Sequence, residues 1–239
     1  QTCALPIWGY TTIWSCMFGL AGGLLAFFSE FIVADIVGIG LSLIGGYNLL
    51  KSAQCAKQPL SFLFRKRTSG NVIAKLSPRS GTRNKVVLLG HTDTNKHRNT
   101  AAPSMKKYLK LTGTQIIVLP ILLAAINLYL SIFSTLLAVA IIFWVLSIIL
   151  FITFVTVILD EQGGYVEGAN DNATAIASLL EIGRHFSQNQ LEHTELWIVF
   201  TGAEEVGCLG AHHLVDEYGD ELKDAQFIVF EMTGSPHVV

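Results

Sequence analysis

Residues 195–205 read ELWIVFTGAEE. The first six of them form an almost uninterrupted apolar run, which is typical of a strand that is buried on both faces of a sheet. After a three-residue turn the run is followed by two acidic residues, Glu204 and Glu205. A buried strand that ends in acidic side chains favours an α/β sheet, because polar sites in such sheets lie at the carboxyl ends of the strands.

Further strands and helices fit the same fold class. Strands are predicted over residues 71–76, 85–90 and 226–231. A helix is predicted to start at Asp171 or Asn172 and to run to about residue 186, because a side chain of either type can cap a helix and apolar residues follow at helical spacing. A second helix is predicted over residues 205–218. We therefore predict an α/β fold with a mostly parallel sheet and flanking helices.

Composition shows that this sheet is not the whole protein. The chain of 239 residues is 51% hydrophobic and only 14% charged, with a mean hydropathy of +0.50. A soluble domain carries about 25% charged residues, so these values exclude a disordered chain, a nucleic-acid-binding basic domain and an ordinary soluble enzyme. The four cysteines are scattered, which indicates neither a disulfide framework nor a thiolate zinc site.

Long apolar runs indicate four transmembrane helices in two hairpins. Residues 8–28 carry no charge, and residues 31–50 carry one, Asp35. Residues 115–159 contain no Asp, Glu, Lys or Arg and are about twice as long as the roughly 20 residues that one span needs. We divide this run near residues 131–134. Gly19 and Gly23 form a GxxxG spacing that could bring helices together.

The two hairpins predict a soluble domain in two parts. Residues 8–50 and 113–159 form the hairpins, so residues 51–112 and 160–239 lie on the same side of the bilayer and can assemble into one domain. Of the 16 Lys and Arg, 14 lie between residues 51 and 110, a bias that favours the cytoplasmic side of a bacterial-type plasma membrane.

The two ends of the chain carry expectations of their own. Residues 1–7, QTCALPI, back-translate to a common sequencing-adapter primer and are expected to be an adapter scar. The chain stops just after an apolar run, and we expect it to be a fragment that lacks its C-terminal part.

Acidic side chains and one imidazole recur where the predicted strands end or a helix begins. They are His91, Asp93, Asp171, Glu204, Glu205 and Glu231. Because carboxyl ends of parallel strands meet at one edge, all should lie along that edge. Zn²⁺ accepts His nitrogen and Asp or Glu oxygen as ligands. Asp93 can fix the tautomer of His91, and of the adjacent glutamates one can bind metal while the other serves as general base.

In these blocks the chain resembles the M28 family of zinc aminopeptidases. The matching pieces are VVLLGHTDTNK, GANDNATAIASLLEIGRHF, WIVFTGAEEVGCLGA and IVFEMTG, spread over residues 69–239 with the second hairpin between them. The related M20 metallopeptidases share the His-x-Asp and Glu-Glu pattern. They usually have Lys-Gly after the central Asp, so the resemblance to them is weaker.

The M28 resemblance implies a membrane-bound zinc exopeptidase that cleaves N-terminal residues from peptides. It implies two zinc ions bridged by Asp171, with His91 and Glu231 on the first ion and Glu205 on the second. Glu204 would be the general base that activates the attacking water. Asp93 would orient His91.

The chain departs from the M28 pattern at two points. The family usually has Asp where Glu231 stands, and it has a later His on the second ion. His212, His213 and His237 do not match that ligand. We therefore expect an under-liganded second zinc and weak or no activity in this fragment.

Other functions stay open on the sequence alone. One is a catalytically inactive M28-like receptor or scaffold domain, and another is a one-zinc acyltransferase of the glutaminyl-cyclase kind. Four spans would also suit a transporter, but they lack paired intramembrane charges.

Overall fold

The computed structural model describes residues 3–5, 8–28, 31–54, 56, 59–63, 67–102, 104, 106–133 and 137–235. The chain divides into two compact units. We call the first the sheet unit; it comprises Gln1–Leu5, Arg65–Asn95 and Tyr165–Val239. The second, the helix unit, comprises Pro6–Phe64 and Lys96–Gly164. Segments on either side of the second apolar run are thus joined in one sheet unit.

The helix unit contains four long helices. They are α1 (Trp8–Phe28), α2 (Ile32–Ala53), α3 (Lys106–Ile132) and α4 (Leu137–Glu161). The long apolar run is therefore interrupted close to the predicted position. By length and composition alone, α2 and α4 could cross a membrane, whereas the apolar parts of α1 and α3 are shorter, Thr12–Phe28 and Ile117–Ile132. Two of the four predicted spans thus meet the criterion among the described residues.

Glycines allow α1 and α2 to approach closely. A Cβ atom added to Gly22 would lie only 2.4 Å from the carbonyl oxygen of Gly38. The predicted GxxxG pair faces other side chains instead, because a Cβ at Gly19 would meet Pro120 at 3.1 Å and one at Gly23 would meet Leu123 at 3.5 Å. The close approach of α1 and α2 at Gly22 and Gly38 therefore does not involve the two glycines of the GxxxG pattern.

Polar side chains inside the helix unit find partners on neighbouring helices. The amide of Asn48 donates to the Ser15 hydroxyl at 2.8 Å, and the amide of Asn127 donates to the Gly23 carbonyl at 3.1 Å. Asp35 accepts a longer hydrogen bond from Ser131 at 3.4 Å. These contacts compensate the cost of placing polar groups in an apolar bundle.

The sheet unit is built on a four-stranded sheet. Two short strands, β1 (Cys3–Leu5) and β2 (Arg67–Ser69), form a separate antiparallel ribbon. The four strands of the sheet are β3 (Val72–Leu76), β4 (Asn84–His91), β5 (Thr194–Thr201) and β6 (Gln226–Val229). The order is β3-β5-β4-β6, with β4 parallel to both β5 and β6 and β3 antiparallel to β5. The predicted α/β class and the flanked sheet are confirmed, with one antiparallel strand at an edge.

Two helices cover the two faces of this sheet. The apolar face of α5 (Thr174–Gln188) packs Leu179 against one layer of strand residues: Leu88, Leu196 and Ile198. On the other face, α6 (Leu209–Leu222) contributes Leu214 and Leu222 to a layer with Val87, Trp197 and Val199. Alternate residues of β4 and β5 therefore point into two separate cores, which explains why both strands read as continuous apolar runs.

Both helices start later than the sequence suggested. Helix α6 begins at Leu209 rather than Glu205, because Ala203, Gly207 and Cys208 have positive φ angles of 60°, 111° and 54°, which no α-helix contains. Helix α5 has no side-chain cap at its start. The predicted cap residue Asn172 uses its amide elsewhere, as described below.

Candidate metal centre

His91 is the last residue of β4 and lies at the centre of the site. Its side chain is 3% exposed, and its Nε2 atom lies 3.1 Å from Asp171 Oδ1 and 3.3 Å from Glu231 Oε1. The donor atoms of these three residues all lie within 4.8 Å of one another, close enough to hold one metal ion. The parallel pairing of β4 with β6 produces the contact, because Glu231 follows β6 just as His91 ends β4.

Asp171 lies in a kinked turn, Ala169–Ala173, directly before α5. The peptide bond between Asp171 and Asn172 is cis. Gly168 enters this turn with φ +67°, and a Cβ atom there would lie 2.2 Å from Thr94. A glycine is needed at this position for both reasons, and it allows the turn to lie against the loop that follows β4.

Asn172 joins the turn to the segment that carries Glu231. Its amide nitrogen donates to the Phe230 carbonyl at 3.1 Å and to Glu231 Oε2 at 3.2 Å, while its Oδ1 accepts from the Met232 backbone at 3.0 Å. The segment Asn172-Ala173-Thr174 matches the N-glycosylation motif, but Asn172 is only 2% exposed and is therefore inaccessible. The sequence predicted Asn172 as a possible helix cap but not as a residue of the site. Its only signal in the sequence is an amide side chain directly after Asp171.

Asp93 holds the turn that contains the two glutamates. Its carboxylate accepts the backbone N–H groups of Glu204 and Glu205, each at 3.0 Å. His91 Nδ1 lies 3.0 Å from the Asp93 backbone carbonyl and 3.6 Å from its carboxylate. From the sequence, the Asp93 carboxylate was predicted to orient the His91 imidazole. In the structure the main-chain oxygen is the closer partner, and the carboxylate orders the glutamate turn.

The two glutamates have different surroundings. Glu204 Oε2 lies 3.9 Å from His91 Nε2, and its Oε1 is 3.5 Å from the Cys208 thiol. Glu205 Oε2 accepts a hydrogen bond of 2.6 Å from the amide of Asn95. Its Oε1 is buried and has no hydrogen-bond partner among the described residues. The two carboxylates therefore contact different partners at this turn.

The electrostatics of the cluster favour a bound cation. Burial disfavours the charged His91 ring, but Asp93, Glu231 and Glu204 around it raise its pKa to about 10. Burial, together with the negative charges of Asp171 and Glu204, raises the pKa of Glu205 to about 7. Burial also raises the pKa of Glu231. These shifts arise because several carboxylates converge with only one imidazole among them.

The residues present fit a zinc ion. Asp171 Oδ1 and Glu205 Oε1 are both buried without a hydrogen bond, which is costly unless a cation binds them. One imidazole and several carboxylates form a ligand set that zinc accepts. The contact of His91 Nδ1 with the Asp93 carbonyl leaves Nε2 facing Asp171 and Glu231, and the hydrogen bond of Asn95 to Glu205 Oε2 leaves Oε1 of Glu205 without a hydrogen bond.

The other histidines considered in the sequence analysis do not join this cluster. His212 is exposed on α6, and His213 pairs with Glu217 at 3.7 Å on the same helix. His237 lies outside the described residues. Neither Cys16 nor Cys208 forms a disulfide in the described part of the chain.

A His and carboxylate cluster at the carboxyl edge of an α/β sheet is the arrangement of a metal-dependent hydrolase. The model of peptidase family M28 matches residues 155–239, about a third of the chain. Over these residues the chain is similar to peptidase family M28, and this match supports a peptidase-type hydrolase in general, from a family that is typically zinc-dependent. The match includes Asp171, Glu204, Glu205 and Glu231. No curated protein and no solved structure matches the chain significantly.

Proposed function

We propose that this protein is a membrane-bound, zinc-dependent exopeptidase that removes N-terminal residues from peptides. The observation that carries the proposal is the convergence of His91, Asp171 and Glu231 within 4.8 Å. His91 lies outside the matched segment, so its place beside Asp171 and Glu231 supports the proposal independently of the family match.

In this proposal, His91, Asp171 and Glu231 would hold a first zinc ion, and Asp171 and Glu205 would hold a second. Bound zinc supplies a Lewis acid that activates water at neutral pH and polarises a carbonyl oxygen. Asp93 keeps the Glu204–Glu205 turn in place through its two backbone hydrogen bonds.

Glu204 is the proposed general base. Its Oε2 lies 3.9 Å from His91 Nε2, at the edge of the cluster, and would accept a proton from the attacking water. The water oxygen bonds to the carbonyl carbon of the first peptide bond, and the C–N bond breaks. Glu204 returns the proton to the leaving amine. The Cys208 thiol contacts Oε1 and leaves Oε2 available for this transfer.

The decisive experiment compares the product of the complete gene with its Glu204→Gln variant, each purified in detergent and loaded with zinc. The substrates are an aminoacyl anilide and its N-acetylated counterpart. We expect cleavage of the free-amine substrate only, and a loss of about 10²- to 10⁴-fold in Glu204→Gln with unchanged zinc content. The matched control is Glu217→Gln, an exposed glutamate on α6, which should retain wild-type activity.

Other outcomes would contradict parts of this proposal. Equal cleavage of the acetylated substrate would refute the exopeptidase mode. Zinc binding without hydrolysis, but with cyclisation of peptides that start with Gln, would establish the one-zinc acyltransferase instead. A chain that binds no zinc and cleaves nothing would be a receptor or scaffold domain.

We further propose that all four helices of the helix unit insert into a bacterial plasma membrane and that the sheet unit faces the cytoplasm. The charge bias of residues 51–110 supports this orientation. Ser80 is exposed, so Ser80→Cys offers a label site in the sheet unit. A membrane-impermeant maleimide should label this cysteine only after cell lysis, and labelling in intact cells would refute the orientation. Full extraction of the protein from the membrane at alkaline pH would refute insertion.

A further inference from the structure

Asn95 lies beside the cluster but has no assigned role. It stands four residues after His91 in the loop that follows β4, and it is partly buried. Its side-chain amide donates to Glu205 Oε2 at 2.6 Å across 110 residues of sequence. A hydrogen bond between an amide and a carboxylate is charge-assisted, and its short length is typical of this class.

This hydrogen bond distinguishes the two oxygens of Glu205. Oε2 is held by Asn95, whereas Oε1 is buried without a partner in the described part of the chain. Oδ1 of Asp171, which lies 3.1 Å from His91 Nε2, is likewise buried without a hydrogen bond.

The backbone of Asn95 connects the same elements. Its carbonyl accepts the N–H of Val166 at 3.0 Å, five residues before Asp171. Two residues later, Gly168 lies against Thr94. One residue thus contacts the glutamate turn through its side chain and the segment leading to Asp171 through its main chain.

We propose that Asn95 is a positioning residue that makes Glu205 a one-oxygen ligand of a second metal ion shared with Asp171. The amide occupies Oε2, so that Oε1 alone is presented to the ion. This inference rests on the proposed function, because it requires a zinc site at the cluster. It gives a role to a residue that stands in the block VVLLGHTDTNK without an assigned function and that lies outside the matched residues 155–239.

The test measures zinc binding rather than activity. The metal-free chain in detergent is dialysed against buffered free zinc over a wide concentration range, and bound zinc is counted at each point. Wild type should bind two ions in two steps. Asn95→Leu, which keeps a similar volume but has no donor, should bind the first ion normally and the second about 10- to 100-fold more weakly, the usual effect of losing a ligand-orienting partner.

Two further variants make the result specific. Asn189→Leu is the matched control, because its amide donates to the His185 carbonyl at the exposed end of α5, and it should bind both ions as wild type does. Asn95→Ser retains a shorter donor and should fall between wild type and Asn95→Leu. The circular dichroism of each metal-free variant shows whether it is folded, and Asn95→Ser replaces Asn95→Leu if the latter does not fold.

The outcomes separate this inference from the proposed function. An unchanged second step in Asn95→Leu, or an equal loss of both steps, overturns the role of Asn95 while zinc binding itself stands. A wild-type chain that binds only one ion also overturns it. A wild-type chain that binds no zinc overturns the proposed function and this inference together. Selective weakening of the second step supports both.

Discussion

Replacing Asn172 by alanine should destabilise the sheet unit strongly. Its side chain is 2% exposed and makes three hydrogen bonds between the Asp171 turn and the segment after β6. Two of these bonds join neutral groups, at Phe230 and Met232, and each is worth about 1 kcal/mol. The third reaches the carboxylate of Glu231, which is 41% exposed, so water can partly replace it and we assign it about 1 kcal/mol. The free energy of unfolding should therefore fall by about 3 kcal/mol.

Urea unfolding followed by tryptophan fluorescence can measure this loss. Trp197 is fully buried in the sheet unit, whereas Trp8, Trp14 and Trp144 belong to the helix unit. Replacing those three by phenylalanine leaves Trp197 as the only reporter. For a slope of about 2 kcal/mol per molar urea, Asn172→Ala should lower the midpoint by about 1.5 M.

Asn189→Ala is the control for this substitution. It removes an exposed amide with one hydrogen bond to the His185 carbonyl, and it should cost no more than about 0.5 kcal/mol. A loss below about 1 kcal/mol in Asn172→Ala, or one equal to the control, would refute the reasoning that Asn172 joins the turn to the ligand segment.

Two other predictions concern metal binding and helix packing. Because the pKa of His91 is raised to about 10 and that of Glu205 to about 7, both groups carry protons at neutral pH that zinc must displace. Calorimetry of zinc binding at pH 7, in buffers of different ionisation enthalpy, should therefore show proton release. The number of protons released should decrease at pH 8.5, because Glu205 is then already ionised. Binding heats that do not depend on the buffer would contradict this prediction. In the helix unit, Gly22→Leu should lower the thermal midpoint in detergent, because even a Cβ atom there would lie 2.4 Å from the Gly38 carbonyl, and such overpacking costs about 1–3 kcal/mol. Gly40→Leu, with no atom within 4 Å of the added Cβ, should leave the midpoint unchanged, and equal midpoints for the two variants would refute the packing argument.

The local pattern of the chain was enough to predict most secondary structure. The apolar runs predicted β4, β5 and β6 to within a few residues, and the predicted break in the long apolar run lies between α3 and α4. These predictions hold because a strand buried on both faces and a helix in an apolar environment each leave a signature in consecutive residues. The predicted start of α6 was too early, because Ala203 and Cys208 have positive φ angles. Only glycine makes such a conformation readable from the sequence, and neither residue is a glycine.

The sequence also determined which residue types stand at the ends of the strands, and parallel pairing then brings His91 and Glu231 together. Only the tertiary structure decided which atoms meet. The Asp93 carboxylate binds the backbone of the glutamate turn 111 residues away, and the amides of Asn95 and Asn172 select one oxygen each of Glu205 and Glu231. Such hydrogen bonds depend on the distance and orientation of groups from separate elements, which sequence spacing does not encode. The residue types of the candidate site are therefore determined by the sequence, while the orientation of their side chains is a property of the fold.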